Sequence, residues 1–524
     1  MMLRDIRRLA DTRFDVVVIG AGFYGAIAAW DATLRGLSVA LVDKGDFGAG
    51  TSFNNLKTLH GGLRSLQVMN LPQMRLFIRE RRALARVAPH LVKPMPFVIP
   101  TYGHYKRSAL LMRAALMIND AISHDRHEGL PDPGLQLPPG ELISRDECLQ
   151  FNPVIAPEGV TGGAIWHDYQ MHNTDRMTLS FALSAAERGA VAANYVRAVD
   201  VLRDGARVAG VRVEDQLTTE RFEIRARAVV NAGGPWATSW LQEVAPRATS
   251  PAPLLSRAMN LVTRRVVTTH ACGGLARGRF LFLIPWRGLS LLGTSHDAHA
   301  GTADQLEVTR HDLEAFLNDG REAFPQANLA TADVHLVHRG LLPMISGNAA
   351  HVKLLRESTV VDHGRDGAPG LISMFGVRYT TARDTAARAI DAVFRDRGVA
   401  TVPVCRTAET PVSGGAIDHK ESFLRAALLA ESSIPQEMLR RLALTYGTNH
   451  EAVVDLVRAV PDLGAPLGQQ CTISQAEIVH AVRAESAVKL SDALIRRTEA
   501  GSAGHPGIDA IESAGVTMKR ELGW

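Results

Sequence analysis

Four apolar residues in a row, Val16 to Ile19, run into Gly20, and an alanine-rich stretch from Ala26 to Ala32 follows closely. A short unbroken apolar run predicts a strand buried on both faces, and the alanine stretch predicts a helix packed against it. A second run, Leu37 to Val42, predicts the next parallel strand. Between the first strand and the helix, Gly20, Gly22 and Gly25 give the G-x-G-x-x-G spacing. Gly20 suits the tight turn, Gly22 lets backbone approach a phosphate, and Gly25 lets the helix pack close to the strand. The helix start then offers unpaired amides and a positive dipole end to a diphosphate. Asp43 ends the second strand, 23 positions past Gly20, where a carboxylate can accept hydrogen bonds from ribose hydroxyls. Strand, glycines, helix, strand and acid together predict a dinucleotide site.

Further along, a helix and strand between Thr178 and Val201 lead to the charged-apolar alternation Phe222 to Val230 and the turn Asn231-Ala-Gly-Gly-Pro-Trp-Ala. This predicts a return to the nucleotide-binding sheet, with Gly233 and Gly234 allowing close backbone approach. Runs at Ala258–Val267 and Gly278–Thr294 predict an antiparallel sheet flooring a substrate pocket. Leu371 to Thr381 reads as strand, glycine turn at Gly376 and helix start, with a helix over 381–395. From Glu421 onward the pattern is helical, with breaks at Pro435, Gly447, Pro461 and Pro466. The Leu110–Ile118 run, preceded by Lys106 and Arg107, leaves two readings open. One is a buried or half-buried helix; the other is an apolar face lying in a bilayer surface with basic residues at the headgroups.

Composition adds little that is specific. A chain of 524 residues exceeds one simple core, and a net charge of +4 (58 basic against 54 acidic residues) gives no argument for nucleic acid. Cys148, Cys272, Cys405 and Cys471 lie far apart, which predicts reduced thiols in a cytoplasmic protein and neither a disulfide framework nor a metal site. The N-terminus lacks the apolar core of a signal peptide, and no apolar stretch is long enough to span a membrane.

Several motifs carry a resemblance: Gly50-Thr-Ser-Phe-Asn-Asn-Leu-Lys-Thr-Leu-His-Gly-Gly-Leu-Arg, Asn231-Ala-Gly-Gly-Pro-Trp-Ala, Pro285-Trp-Arg-Gly, Gly293-Thr-Ser-His-Asp, Ser373-Met-Phe-Gly-Val-Arg-Tyr-Thr-Thr and Thr445-Tyr-Gly-Thr-Asn. Together with a helix over 485–497, they resemble the FAD-dependent glycerol-3-phosphate dehydrogenases, within the D-amino-acid-oxidase-like flavoproteins, from about Asp15 to Gly501. The fold so implied is α/β. A Rossmann-like FAD-binding domain (11–105, continued in 175–248 and 335–402) carries an inserted antiparallel-sheet substrate domain (249–334 with 106–174) and a C-terminal helical domain (403–524).

The resemblance implies oxidation of sn-glycerol 3-phosphate to dihydroxyacetone phosphate. FAD would take the hydride and quinone would be the acceptor, on a protein peripheral to the inner face of the cytoplasmic membrane. Beside Gly20, Gly22, Gly25 and Asp43, cofactor contacts fall on Thr51, Ser52, Lys57, Gly233, Gly376, Thr380 and Thr381, although Thr381 also suits a helix cap. His60, Arg64, Arg356 and Arg378 fall at the reacting end. An imidazole suits proton acceptance near neutral pH, while a structural donor is the alternative for His60. Arg64 and Arg356 read as phosphate ligands.

Three departures from the family pattern bear on the substrate. Leu342 stands where the family has an arginine, Ser65 where it has tyrosine, and Arg378 where it has lysine. Arg339, three positions before Leu342, is a candidate to compensate. A different hydroxy acid, polyol phosphate or amine is therefore the alternative substrate, and a non-catalytic flavoprotein the remaining reading. The oligomeric state stays open, a homodimer included.

Overall fold

Strands buried on both faces need cover from helices on each side, and two such runs begin the chain. In the computed structural model, which describes residues 2–103, 108–247, 254–347 and 352–524, Arg13–Ile19 and Val39–Val42 are parallel neighbours. Val191–Ala193 extends the sheet beyond Val39–Val42, while Arg221–Asn231 and then Leu371–Phe375 extend it on the other side, all parallel. Thr359–Asp362 closes that edge antiparallel, and Val196–Asp204 and Arg207–Asp215 form an antiparallel ribbon on Arg221–Asn231. Helices Phe23–Leu34, Thr174–Glu187 and Ala382–Asp396 pack together on one face in a core rich in alanine. Small side chains let these helices approach the sheet closely.

The second sheet is mostly antiparallel. Its order from one edge is Val352–Leu354, Val334–Gly347, Leu254–Thr263, Leu289–His299, Arg279–Trp286, Ala271–Ala276, Val92–Tyr102, Val160–Met171 and Thr58–Leu59. Four of these strands, Val92–Tyr102, Thr58–Leu59, Val334–Gly347 and Val352–Leu354, pair here although the sequence placed them with the nucleotide domain. Pro94, Pro96 and Pro100 hide the first of them. The strand tolerates prolines because its second neighbour meets it only at Phe97 and Val98.

The C-terminal part is helical, with a small hairpin of Pro466–Gly468 and Cys471–Ser474. The continuous helix expected over 485–497 is broken. Helix Gln475–Glu485 ends at Ser486 in a left-handed conformation, and a separate π-helical turn covers Asp492–Arg497. That turn reaches back to the nucleotide domain. Arg496 donates to Asp46 at 2.6 Å, and Arg497, wholly buried, donates to both Asp46 oxygens at 2.7 and 2.6 Å. Burial pushes the Asp46 carboxyl up, but the Arg497 and Arg496 guanidinium groups prevail and hold it down to about 2.

Candidate active site

The carboxyl ends of the parallel strands converge on a cleft of about 450 Å³. Ligands bind at this end of open α/β sheets. Gly20 sits at φ +94°, and a Cβ there would lie 2.6 Å from the Ala232 carbonyl oxygen, so the turn accepts only glycine. A Cβ on Gly25 would lie 1.8 Å from the Gly20 carbonyl oxygen, which is the close helix–turn packing its spacing predicts. Gly22, Phe23 and Tyr24, which open helix Phe23–Leu34, line the cleft. The Asp43 carboxylate accepts from the Ala21 amide at 2.6 Å and the Gly45 amide at 2.9 Å. Burial pushes the Asp43 carboxyl up, with those two amides opposing it. On the far side, Asn231 braces the second glycine turn. It accepts from the Gly233 amide at 3.2 Å and donates to the Ala237 carbonyl at 3.0 Å.

Thr51 and Ser52 reach the cleft from the segment between the sheets. Ser52 Oγ accepts from the Phe23 amide at 2.9 Å, and Thr51 Oγ1 lies 3.3 Å from both the Leu341 amide and carbonyl. The turn at Gly376 closes the other wall. Tyr24 Oη donates to the Arg378 carbonyl at 2.7 Å, and the Tyr379 ring stacks on Phe23 with centroids 3.7 Å apart. Gly376 leaves room for the Tyr24 ring, which a Cβ would approach to 2.5 Å.

Gly20, Gly22, Asp43, Thr51, Ser52, Gly233, Gly376 and Arg378 thus line one cleft. Gly25 shapes it from behind. Lys57, also expected at the cofactor, is not among the lining residues. With φ +55° the chain turns there, and the buried ammonium donates to the Phe53 carbonyl and to Thr174 Oγ1 at 3.1 Å, outside the cleft lining. Burial holds the Lys57 ammonium down to about 8. Thr380 and Thr381 also lie outside the lining: Thr380 Oγ1 accepts from the His60 amide at 3.2 Å, and Thr381 occupies the N-cap position of Ala382–Asp396 without a side-chain capping bond. Leu342 lines the cleft, whereas Arg339 is exposed and outside it. Side chains alternate along a strand, so a residue three places away points to the opposite face and Arg339 does not replace the missing cation.

One face of helix Leu71–Val87 lies beside residues expected at the reacting end. Gln73, Phe77 and Arg81 are four residues apart and share that face. Gln73 Nε2 donates to the Arg356 carbonyl at 2.8 Å, the Arg378 guanidinium lies 5.3 Å from the Phe77 ring centre, and Arg81 donates to Asp168. Asp168, not singled out from the sequence, accepts from the Gly61 amide at 2.7 Å and lies 3.2 Å from His60 Nδ1. Burial pushes the Asp168 carboxyl up, but its bond to His60, the Arg81 charge and the Gly61 amide together keep it below the ordinary carboxylate value. His60 is 45% exposed and packs toward Phe97, which stacks on Trp166. The Arg64 side chain lies outside the described residues; its backbone is in the 3₁₀ turn Leu63–Val68.

A glycine turn, a helix start and an acid at the strand ends define a dinucleotide-binding α/β protein. Residues 15–383 match the FAD dependent oxidoreductase family, and 405–524 match the C-terminal domain of alpha-glycerophosphate oxidase. Glycerol-3-phosphate dehydrogenase from Mycobacterium leprae is 30% identical, covering 99% of this chain and 86% of its own length. That of Synechocystis is 28% identical, covering 100% and 95%. The structure of glycerol-3-phosphate dehydrogenase from Bacillus halodurans complexed with FAD superposes with a TM-score of 0.77 at 26% identity, covering 99% and 92%. The chain belongs to the FAD-dependent oxidoreductases and, within them, to the glycerol-3-phosphate dehydrogenase family.

Proposed function

We propose that the protein oxidises sn-glycerol 3-phosphate to dihydroxyacetone phosphate and passes the electrons to a membrane quinone. FAD, when bound, supplies the hydride acceptor. Gly20, Gly22, Asp43, Ser52 and Gly233 suit its dinucleotide part, and the turn at Gly376 suits its ring. The observation that carries the reading is the bond from the His60 backbone amide to Thr380, which ties the His60 segment to the turn after Gly376. His60 takes the hydroxyl proton as the carbinol carbon gives up its hydride. Arg378, whose guanidinium lies against the Phe77 ring, and Arg356, whose backbone carbonyl is held by Gln73, supply cations for a phosphate.

A bilayer-facing surface supports the quinone step. Helix Ala109–Ile122 buries Leu116 and exposes Leu110, Leu111, Met117 and Ile118, and it packs against the 3₁₀ turn that ends at exposed Val68 and Met69. From there Met112 and Leu63 join Phe280, Phe282 and Trp166 in one apolar cluster that leads inward to Phe97 beside His60. Lys106 and Arg107, the expected headgroup contacts, lie outside the described residues. No helix among the described residues is long and apolar enough to cross a membrane.

Anaerobic titration of the holoprotein with sn-glycerol 3-phosphate tests the reading. Stoichiometric bleaching of flavin absorbance is expected, and an unchanged spectrum overturns it. Leu342 in the cleft wall favours one second reading, a hydroxy acid, other polyol phosphate or amine as substrate. Bleaching by one of those instead would establish it.

A further inference from the structure

We infer that Asp168 is a positioning residue: it holds His60 in the tautomer whose Nε2 is bare, and so makes the imidazole a proton acceptor. The inference rests on the reading of His60 as the acceptor and adds the group that sets its state.

The geometry follows from strand pairing. Thr58 and Leu59 pair antiparallel with Gln170 and Tyr169, and the next step of that register sets His60 opposite Asp168. Both carboxylate oxygens are committed. Oδ1 accepts the Gly61 amide and the Arg81 guanidinium, and Oδ2 faces His60 Nδ1 at 3.2 Å. The Asp168 side chain is 4% exposed and that of Arg81 is 6% exposed, so neither readily exchanges its partner for water. An ionised carboxylate only accepts, so Nδ1 carries the hydrogen and Nε2 keeps its lone pair. Among the described residues, Nε2 has no protein partner, and this half-exposed edge is where a substrate hydroxyl can approach. When the proton arrives at Nε2, the imidazolium forms beside a fixed negative charge, and the carboxylate itself stays ionised.

Arg81 makes the arrangement directional. Its guanidinium and the Gly61 amide are both donors that cannot reverse, so they fix which oxygen must accept. In Asp168→Asn the carboxamide oxygen settles on those two donors. The NH₂ then faces Nδ1, which must accept, and the hydrogen moves to Nε2. The shape is kept and the acceptor is lost.

The test compares Asp168→Asn, His60→Gln and the double variant, as holoproteins with bound FAD, by anaerobic stopped-flow flavin reduction. Asp168→Asn is expected to slow reduction by about 10²- to 10⁴-fold, with little change in the substrate concentration for half-maximal rate. Adding Asp168→Asn to His60→Gln is expected to cost nothing more, because both act through one imidazole. If His60→Gln reduces at the native rate, the reading of His60 fails. If His60→Gln is slow and Asp168→Asn is fast, the inference about Asp168 alone fails. A second measurement stands even where Asp168→Asn folds poorly. In ¹⁵N-histidine-labelled wild-type protein, with His60→Gln for assignment, His60 should show a protonated Nδ1 and a bare Nε2. The opposite tautomer overturns the inference.

Discussion

Replacing Gly25 by alanine adds one methyl group, and the structure gives the size of its effect. The new Cβ would stand 1.8 Å from the Gly20 carbonyl oxygen, with the Ala232 Cβ at 3.2 Å on its other side. Ordinary contact needs more than 3.0 Å, so turn and helix must separate by over an ångström. Both are backbone and cannot rotate away. The Gly22–Tyr24 helix start lines the cleft, so the shift moves the amides meant for a diphosphate. A hydrogen bond near 2.9 Å does not survive that displacement. Charge-assisted bonds contribute about 1.5–3 kcal/mol each. Losing one or two weakens FAD binding by about 10- to 10⁴-fold. The ratio of flavin to protein absorbance after purification, followed by fluorescence titration of the apoprotein, reads this directly. Gly25→Ala protein that retains a full complement of FAD with native affinity would refute the reasoning.

Asp46→Asn leaves two buried guanidinium groups facing a neutral amide and should cost about 3–5 kcal/mol, read as a lower denaturant midpoint. The folded Asp46 value of about 2 lies below the unfolded value of roughly 3.9, so the wild-type contribution is present above about pH 4 and is lost as pH falls toward 2. The Asn variant should therefore show a shallower fall in melting temperature over that window, and an equal fall would contradict the assignment. Leu342→Arg places a cation in the cleft wall and should lower KM for a phosphorylated substrate by about 10-fold or more, while KM unchanged at full flavin content would show that the phosphate sits elsewhere. Leu110→Asp with Met117→Asp should abolish co-sedimentation with anionic vesicles and leave flavin reduction by substrate intact; retained binding would place the membrane contact on another face.

What could be read from the chain was local. Val16 to Ile19, the three glycines and Asp43 carry their geometry within one strand–turn–helix unit, and each stands where the spacing predicts. Asp168 was invisible because its meaning depends on pairing with a segment more than a hundred residues earlier. The Lys57 side-chain direction was illegible for the opposite reason. The residue sits inside a recognisable motif, but its left-handed backbone turns the side chain toward Phe53 and Thr174. Arg339 shows the limit of counting residues without knowing the strand, since its odd spacing from Leu342 sets the two on different faces.

The link between Asp46 and Arg497 has a consequence for biosynthesis. The two residues are 451 positions apart, so the aspartate leaves the ribosome long before its cations exist. At about 5–20 residues per second, that wait is roughly 20 to 90 s. Until then Asp46 has neither guanidinium partner, and this contact between the nucleotide domain and the C-terminal turn forms only on the finished chain. A polypeptide stopped before Arg496 would carry every glycine of the nucleotide turn yet leave Asp46 without either guanidinium partner.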